Sequence, residues 1–391
     1  MRELTINQTE AVEKMKRLRV GALFMQCGTG KTQTACALIN GIDDSDRLFW
    51  LAPCQTIENL REELTKCGLK YTPEIIGIES IGMSDRIYLE ARERIAKCKR
   101  AIIVCDESLK IKNITAKRTK RLLEISKYGY YKLILNGTPI TKNIIDIYAQ
   151  MEFLSPRIFN ATLYQFKHRY CIIAQKKKCG RVIKEWVKGF ANIDHLLSVI
   201  EPYVFQCDLK LSVEKEHKIE HYFLDEKCSE EYQSLKYEML EKMKEDKLMG
   251  TTILGYLQRM QQCYCCSEDK FKIVENLIDD KTVIFCKFIR SADALRERFK
   301  NATVLTYGKN SIGLNLQHCN KIIYFDKTFD YAFAEQSEYR IFRTGQKDNC
   351  IYYNLTGEVG LEKMLDDCIK KKVSVVQYFK QVGNKTATNQ L

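Results

Sequence analysis

Val20-Gly-Ala-Leu-Phe-Met25-Gln-Cys-Gly28-Thr29-Gly30-Lys31-Thr32 places an apolar run, two glycines, a lysine and a hydroxyl ahead of a helix-favouring stretch, Thr34–Ile39. An apolar run with no polar interruption suits a strand covered on both faces. The glycines let the backbone turn tightly, and the amides that open the next helix then point into the turn. Lys31 brings positive charge, and the Thr32 hydroxyl suits a hydrated Mg2+ ion. The segment therefore predicts a phosphate loop for ATP, with Gly28, Thr29, Gly30, Lys31 and Thr32 as nucleotide contacts. The general pattern has a glycine at position 25, where this chain has Met25.

The same reading extends outward. Arg47–Ala52, Ala101–Cys105 and Lys132–Leu135 read as further strands, with helix-forming stretches such as Glu58–Lys66 and Asp85–Lys97 between them. Alternation of this kind builds a parallel sheet covered by helices. Ala101-Ile-Ile-Val-Cys-Asp106-Glu107 ends one such strand in two carboxylates, and ligands of open α/β sheets bind beyond the carboxyl ends of the strands. Asp106 is expected to hold Mg2+ through its water shell, and Glu107 to polarise the attacking water. The rhythm breaks after Pro156. A hairpin is expected around Lys176–Arg181, followed by a long helical stretch, Ser229–Cys263, with Tyr232, Leu235, Met239 and Met243 along one stripe. From about residue 270 the α/β alternation resumes with Thr282–Phe285, Ala292–Lys300, Ala302–Tyr307 and Lys321–Phe325. The expected domains are an ATP-binding lobe at 1–155, a hairpin-and-helix insertion at 156–265, a second α/β lobe at 266–380 and a disordered tail at 381–391.

Composition sets the outer limits. Of the 391 residues 45% are hydrophobic and 29% charged, an ordinary balance for a globular protein. No apolar run approaches the ~18 residues of a membrane span, and Met1-Arg-Glu-Leu-Thr lacks the apolar core of a signal peptide. A cytoplasmic location is expected, the host cytoplasm for a virus-encoded chain, with no membrane partner and a monomer as the working state. Seventeen cysteines, an odd count in a chain this large, read as free thiols in a reducing compartment. The Cys-x-x-Cys within Cys263–Cys266 has no second pair at zinc-like spacing. A net charge of +13 suits a polyanionic partner such as nucleic acid, though a solvated lysine-rich surface gives the same number.

Several further segments share one order. Asp106-Glu107-Ser-Leu-Lys-Ile-Lys112-Asn113, Leu135-Asn-Gly137-Thr138-Pro139-Ile, Leu257-Gln-Arg-Met-Gln-Gln262, Lys281–Phe288, Gly313-Leu-Asn315-Leu-Gln317 with Ile322–Asp326, and Gln336-Ser-Glu-Tyr-Arg340-Ile-Phe-Arg343-Thr-Gly345-Gln346 follow the loop in turn. In this arrangement the chain resembles the superfamily-two helicase-type ATPases, and within them the Swi/Snf-type DNA translocases, over residues 1–360. Met25 in the loop is normal for that type, while Asn136 stands where the family usually has Thr. The resemblance implies an α/β fold of two RecA-like parallel-sheet P-loop lobes with a mainly helical insertion between them. It implies ATP and Mg2+ as ligands, Gln8 and Gln336 as nucleotide contacts, and Arg340 and Arg343 as catalytic arginines. Three residues apart, those arginines would share one face of a helix, and charge of that kind opposite a γ-phosphate is worth ~10³–10⁵ in rate. It also implies duplex DNA as partner, with RNA not excluded, and movement along it; strand separation and an ATP-switched binding protein are the rival readings. The short chain is similar to virus- or phage-encoded members. Only about 25 residues separate Phe285 from the Gly-Leu-Asn motif, where the family usually fits another strand–helix unit.

Two basic tracts are candidates for the nucleic-acid surface. Lys110–Arg121 holds six basic residues and no acid, and includes Lys112 and Asn113. Gln165–Phe190 holds eight against a single acid, Glu185, among them Lys176, Lys177, Lys178 and Arg181, interleaved with Phe166, Tyr170, Trp186 and Phe190. Basic residues with aromatics suit backbone tracking with base or sugar contact. Lys370-Lys-Lys372 reads as a solvated helix end.

Overall fold

The computed structural model describes residues 3–137, 144–178, 181–244, 250–307 and 316–371 with Val375 and Tyr378, excepting the side chains of 176–178, 181–184, 243–244, 250–251 and 332. The chain forms two compact units, Met1–Leu209 and Lys210–Leu391. In order, the first contains α1 (Ile6–Met15), β1 (Val20–Met25), α2 (Lys31–Asn40), β2 (Arg47–Ala52), α3 (Ile57–Lys66), β3 (Pro73–Gly77), α4 (Ile78–Met83), α5 (Asp85–Ala96) and β4 (Ala101–Cys105). It continues with α6 (Lys117–Ser126), β5 (Gly129–Asn136), α7 (Ile145–Leu154), α8 (Leu163–Tyr170), β6 (Cys171–Lys178), β7 (Arg181–Phe190), α9 (Ile193–Ile200) and β8 (Val204–Cys207).

Six of these strands form one sheet in the order β3-β2-β4-β5-β1-β8, and every pairing in it is parallel. The side-chain period of two explains why its strands read as unbroken apolar runs. Ala22, Phe24, Phe49, Leu51, Ile103 and Cys105 enter one core. Their neighbours Leu23, Met25, Leu48, Trp50, Ile102 and Val104 enter the core on the other face. Each fully buried aliphatic or aromatic side chain contributes about 1.5–3 kcal/mol, so both faces resist polar substitution. β6 and β7 form a separate antiparallel hairpin, rooted through Ile173 and Val187 on the first of those cores.

The second unit contains β9 (Lys215–Tyr222), α10 (Glu226–Lys244), α11 (Gly250–Cys263), α12 (Glu268–Leu277), β10 (Thr282–Cys286), α13 (Ile289–Arg298), β11 (Thr303–Thr306), β12 (Lys321–Tyr324), α14 (Tyr331–Glu338), β13 (Cys350–Gly357) and α15 (Gly360–Lys370). Its sheet runs β11-β10-β12-β13-β9, again all parallel. Ile284, Cys286 and Ile323 face one core, and Val283, Phe285, Ile322 and Tyr324 the other. The expectation of two parallel-sheet α/β lobes therefore holds.

The insertion expected at 156–265 is divided between the units. β8 lies along β1, with Ala22 opposite Val204 and Met25 opposite Cys207, so α8, the hairpin, α9 and β8 complete the first unit. β9 pairs with β13, and Tyr232, Leu235, Met239, Leu257 and Met260 enter the core of the second. The physical reason is apolar: the stripe on this helical stretch buries itself in the second core instead of standing apart. Ser229–Cys263 is two helices, the second beginning at Gly250. Between β10 and residue 307 the second unit has a single strand, β11. The tail expected at 381–391 lies outside the described residues, as do Thr138, Pro139 and the Gly313–Asn315 segment.

Candidate functional site

The loop after β1 takes the shape its glycines allow. Gly28 (φ 85°) and Gly30 (φ 83°) both adopt left-handed backbone, which any other L-residue reaches only at a cost of about 1–2 kcal/mol. Gly30 caps α2 without a side-chain cap bond, and no acid stands in the first turn of the helix. The first turn of α2 and the positive end of its dipole face the loop, the arrangement that binds phosphate. Lys31 opens α2, and its Nζ donates to the Met25 carbonyl at 3.1 Å. Thr29 Oγ1 donates to the Gln26 carbonyl at 2.7 Å. The Gln26 side chain in turn accepts the Leu209 amide at 2.8 Å, tying the loop to the segment after β8.

Gln8, on α1, is buried beside this loop. Its Nε2 donates to the Thr29 carbonyl at 2.8 Å, and its Oε1 accepts the Thr5 amide at 3.0 Å in a capping box. The structure thus shows Gln8 bracing the loop backbone.

The acidic pair stands at the carboxyl end of β4. Asp106 donates its amide to the Leu51 carbonyl at 2.8 Å and accepts the Glu107 amide on Oδ1 at 2.9 Å. Burial, reinforced by the neighbouring Glu107 charge, pushes Asp106 up to about 7 against the opposing pull of Lys31. Lys31 follows β1 and Asp106 follows β4, and these parallel strands flank β5 in the sheet, so both residues lie at the same edge of it. Glu107 is left-handed (φ 47°, ψ 53°), a strained conformation of the kind held at functional sites at about 1–3 kcal/mol. Ser108 is buried and donates to Gln150 Oε1 on α7 at 2.7 Å. Sequence reasoning missed Gln150, because a polar residue within an apolar helix gives no sign of what it faces.

The next motif closes the third side. Asn136, at the end of β5, is buried and accepts the Gly137 amide on Oδ1 at 2.9 Å. A Cβ on Gly137 would sit 3.8 Å from Lys31 Nζ and 3.2 Å from Cys27 Sγ. Phosphate loop, acidic pair and Asn-Gly turn therefore meet at the carboxyl ends of β1, β4 and β5.

In the second unit, Gln336 lies on α14, but that helix ends at Glu338. Arg340 and Arg343 stand in the turn beyond it and do not share a helix face as the spacing suggests. The turn is built by its neighbours. Gly345 is left-handed (φ 98°), with Gln317 packed within 3.2 Å of where its Cβ would be. Gln346 Nε2 donates to the carbonyls of Cys319 (2.7 Å) and Ile341 (3.1 Å). Its Oε1 accepts the amides of Lys347 and Asp348. The buried Gln346 after the arginines is thus a clamp on their turn. The sequence places Asp326 in a motif but does not show its partner: Lys270 and Asp326, their side chains both 1% exposed, form an ion pair at 2.8 Å, and Asp326 also accepts the Lys287 amide.

Of the two basic tracts, Lys110–Arg121 meets three acids of its own unit. Lys110 pairs with Glu79, Lys112 with Asp146, and Lys117 and Arg121 with Asp85. Asn113 Oδ1 accepts Thr115 N and Oγ1, closing a local turn. In the second tract Phe166 and Tyr170 are core residues, whereas Trp186 and Phe190 are exposed. Lys176, Lys177, Lys178 and Arg181 occupy hairpin strand positions, and their side chains lie outside the described residues.

Residues 55–269, more than half of the chain, match the family model of the SNF2-related domain. The chain belongs to the SNF2-related family. This SNF2-related chain is 21% identical over 330 residues to a Caenorhabditis elegans homologue of SWI/SNF-related matrix-associated actin-dependent regulator of chromatin subfamily A-like protein 1, covering 72% of the chain and 46% of the relative. It is 30% identical over 131 residues to the SWI/SNF chromatin-remodeling complex subunit snf22 of Schizosaccharomyces pombe, covering 33% of the chain and 8% of the relative. The chain thus spans less than half the length of these relatives. Among solved structures, a Sulfolobus solfataricus SWI2/SNF2 ATPase core in complex with dsDNA aligns at a TM-score of 0.46 and 19% identity, over 99% of this chain and 94% of that one.

Proposed function

We propose that this chain is an ATP hydrolase stimulated by nucleic acid, which moves along duplex DNA as it turns ATP over. The observation that carries the reading is the convergence of Lys31, Asp106 and Gly137 at the carboxyl ends of three strands of one parallel sheet. SNF2-related family membership supports it. The loop amides and Lys31 bind the β- and γ-phosphates, and Glu107 is the carboxylate that polarises the attacking water. The donors also fit a hydrated Mg2+. Thr32 lies in the first turn of α2, and Asp106 is a carboxyl raised to about 7 by burial, whose ionised form a cation favours. When bound, that ion offsets phosphate charge. Arg340 and Arg343 are assigned to the transition-state charge, and Gln336 to nucleotide contact.

An ATPase titration with duplex DNA, single-stranded DNA and RNA, run beside Lys31→Ala, tests the reading. Duplex-stimulated, sustained turnover that Lys31→Ala abolishes without loss of fold is expected. Wild-type turnover in a folded Lys31→Ala protein overturns the loop assignment, and stoichiometric binding without turnover turns the reading to an ATP-set switch.

A further inference from the structure

The hairpin carries an arrangement that movement along duplex backbone does not require. Its register opposes Lys176 to Lys184 and Lys178 to Arg181. Directly opposed like charges destabilise an antiparallel pair, so two such pairs near one hairpin end favour an anionic partner. The only acid from 165 to 190, Glu185, accepts from Gln175 Nε2 at 2.6 Å.

Closer to the root the hairpin has two unlike faces. The opposed pair Ile173 and Val187 packs on the core of the first unit. The next pair, Ala174 and Trp186, therefore belongs to the face turned from that core. Trp186 is 45% exposed there, alongside Ile172 at 50%. Ala174 opposite it is too small to cover an indole, and Gly189 opposite Ile172 adds no side chain. Lys188 beside them is exposed. An indole held open on a rigid strand, flanked by apolar surface and with basic residues further along the same strands, is what a flat aromatic ring can stack upon. Paired bases inside a duplex do not present such a face; unstacked ones do.

We infer that Trp186 is a stacking platform for an unpaired nucleobase, so that the hairpin engages single-stranded nucleic acid or a single-strand–duplex junction. The exposed Lys188 beside it holds an adjoining phosphate. This rests on the nucleic-acid reading above and names the strand state that the hairpin recognises.

The chain reports on itself, because it has two tryptophans and the other, Trp50, is fully buried. The full-length protein is titrated with a single-stranded oligothymidylate and with a blunt duplex, without nucleotide. Tryptophan emission and acrylamide quenching are followed, and affinity is read from the anisotropy of a labelled oligonucleotide. Single strand is expected to quench the Trp186 component and shield it from acrylamide, and the duplex to do neither. Trp186→Ala is expected to weaken single-strand affinity about tenfold or more with duplex affinity unchanged, and Trp186→Phe to keep most of it. Lys184→Glu, which turns one repelling pair into an attracting one, should weaken single-strand binding while raising the melting temperature.

Equal quenching by duplex and single strand, or equal loss of both affinities in Trp186→Ala, overturns the inference in favour of a backbone-tracking hairpin. Quenching by neither removes the hairpin from the nucleic-acid surface. In both cases duplex-stimulated ATP hydrolysis still stands or falls separately, since its machinery does not include Trp186.

Discussion

Gly30→Ala probes the loop where it is most constrained. At φ 83° and ψ 40° an alanine costs about 1–2 kcal/mol of backbone strain. Its Cβ also meets Gln8 Nε2 at 2.2 Å, an approach that only movement of Gln8 relieves. That movement breaks the 2.8 Å bond to the Thr29 carbonyl, worth about 0.5–1.5 kcal/mol net. Together these amount to roughly 2–3 kcal/mol against the binding-competent loop, or a roughly 30- to 150-fold weaker ATP affinity. Gln8→Ala alone loses this bond, roughly a fivefold effect on the loop, together with the capping-box bond from the Thr5 amide at the start of α1. In the double variant the clash is gone and the bond is lost once, so the combined penalty falls short of the sum by about 1 kcal/mol. Equilibrium titration with a fluorescent ATP analogue at fixed Mg2+ measures all four proteins, with thermal melts confirming the fold. Strict additivity refutes the idea that Gln8 braces Gly30, and unchanged affinity in Gly30→Ala refutes the phosphate cradle itself.

Glu107→Gln keeps ATP affinity and slows hydrolysis at least a hundredfold in single-turnover assays, because general-base help is worth ~10²–10⁴; lost binding with normal turnover per bound ATP reverses its role. Arg340→Ala and Arg343→Ala bind ATP nearly normally and lose stimulated turnover by ~10³ or more, and full activity in either removes that arginine from the mechanism. Lys132 sits on central β5, registered with Val20 and Ile103, and burial lowers its amine to about 8 from 10.5. The unfolded chain thus holds that proton up to a higher pH than the folded one. The group costs stability below about 8, and the cost fades as pH climbs toward 10.5. Lys132→Met is expected to be ~1–3 kcal/mol more stable at neutral pH, with the gain shrinking above pH 9. Urea unfolding at both pH values decides it, and a gain independent of pH assigns the effect to packing instead of charge.

The first unit was readable because its information is local. β1, β2 and β4 are short apolar runs with turn residues between them, and a buried parallel strand needs little more. The boundary between the units was not readable in this way. Val204–Cys207 is only four residues long, and nothing in them says that they will lie beside Ala22–Met25 of β1. The stripe on α10 was visible at Tyr232, Leu235 and Met239, but a stripe gives the buried face and not the sheet it covers. The helix expected for Arg340 and Arg343 fails for a related reason. The spacing permits one face, yet Gly345 and the four hydrogen bonds of Gln346 fix a turn there, and tertiary bonding overrides periodicity.

Charge shows the same division between what is local and what is not. On sequence the two basic tracts look alike, each dense in lysine and arginine with scarcely an acid. The difference lies in residues distant along the chain: Glu79, Asp85 and Asp146 come to the first tract from neighbouring elements of the same unit. Ion pairs at a surface contribute little stability, about 0–1 kcal/mol each, but they reduce the field a phosphate backbone would meet. A nucleic acid approaching Lys112 must compete with Asp146. On the hairpin, strand register works the other way, opposing base to base at 176 and 184 and at 178 and 181. We therefore propose the hairpin tract, ahead of the one paired with acids, as the surface that meets a polyanion.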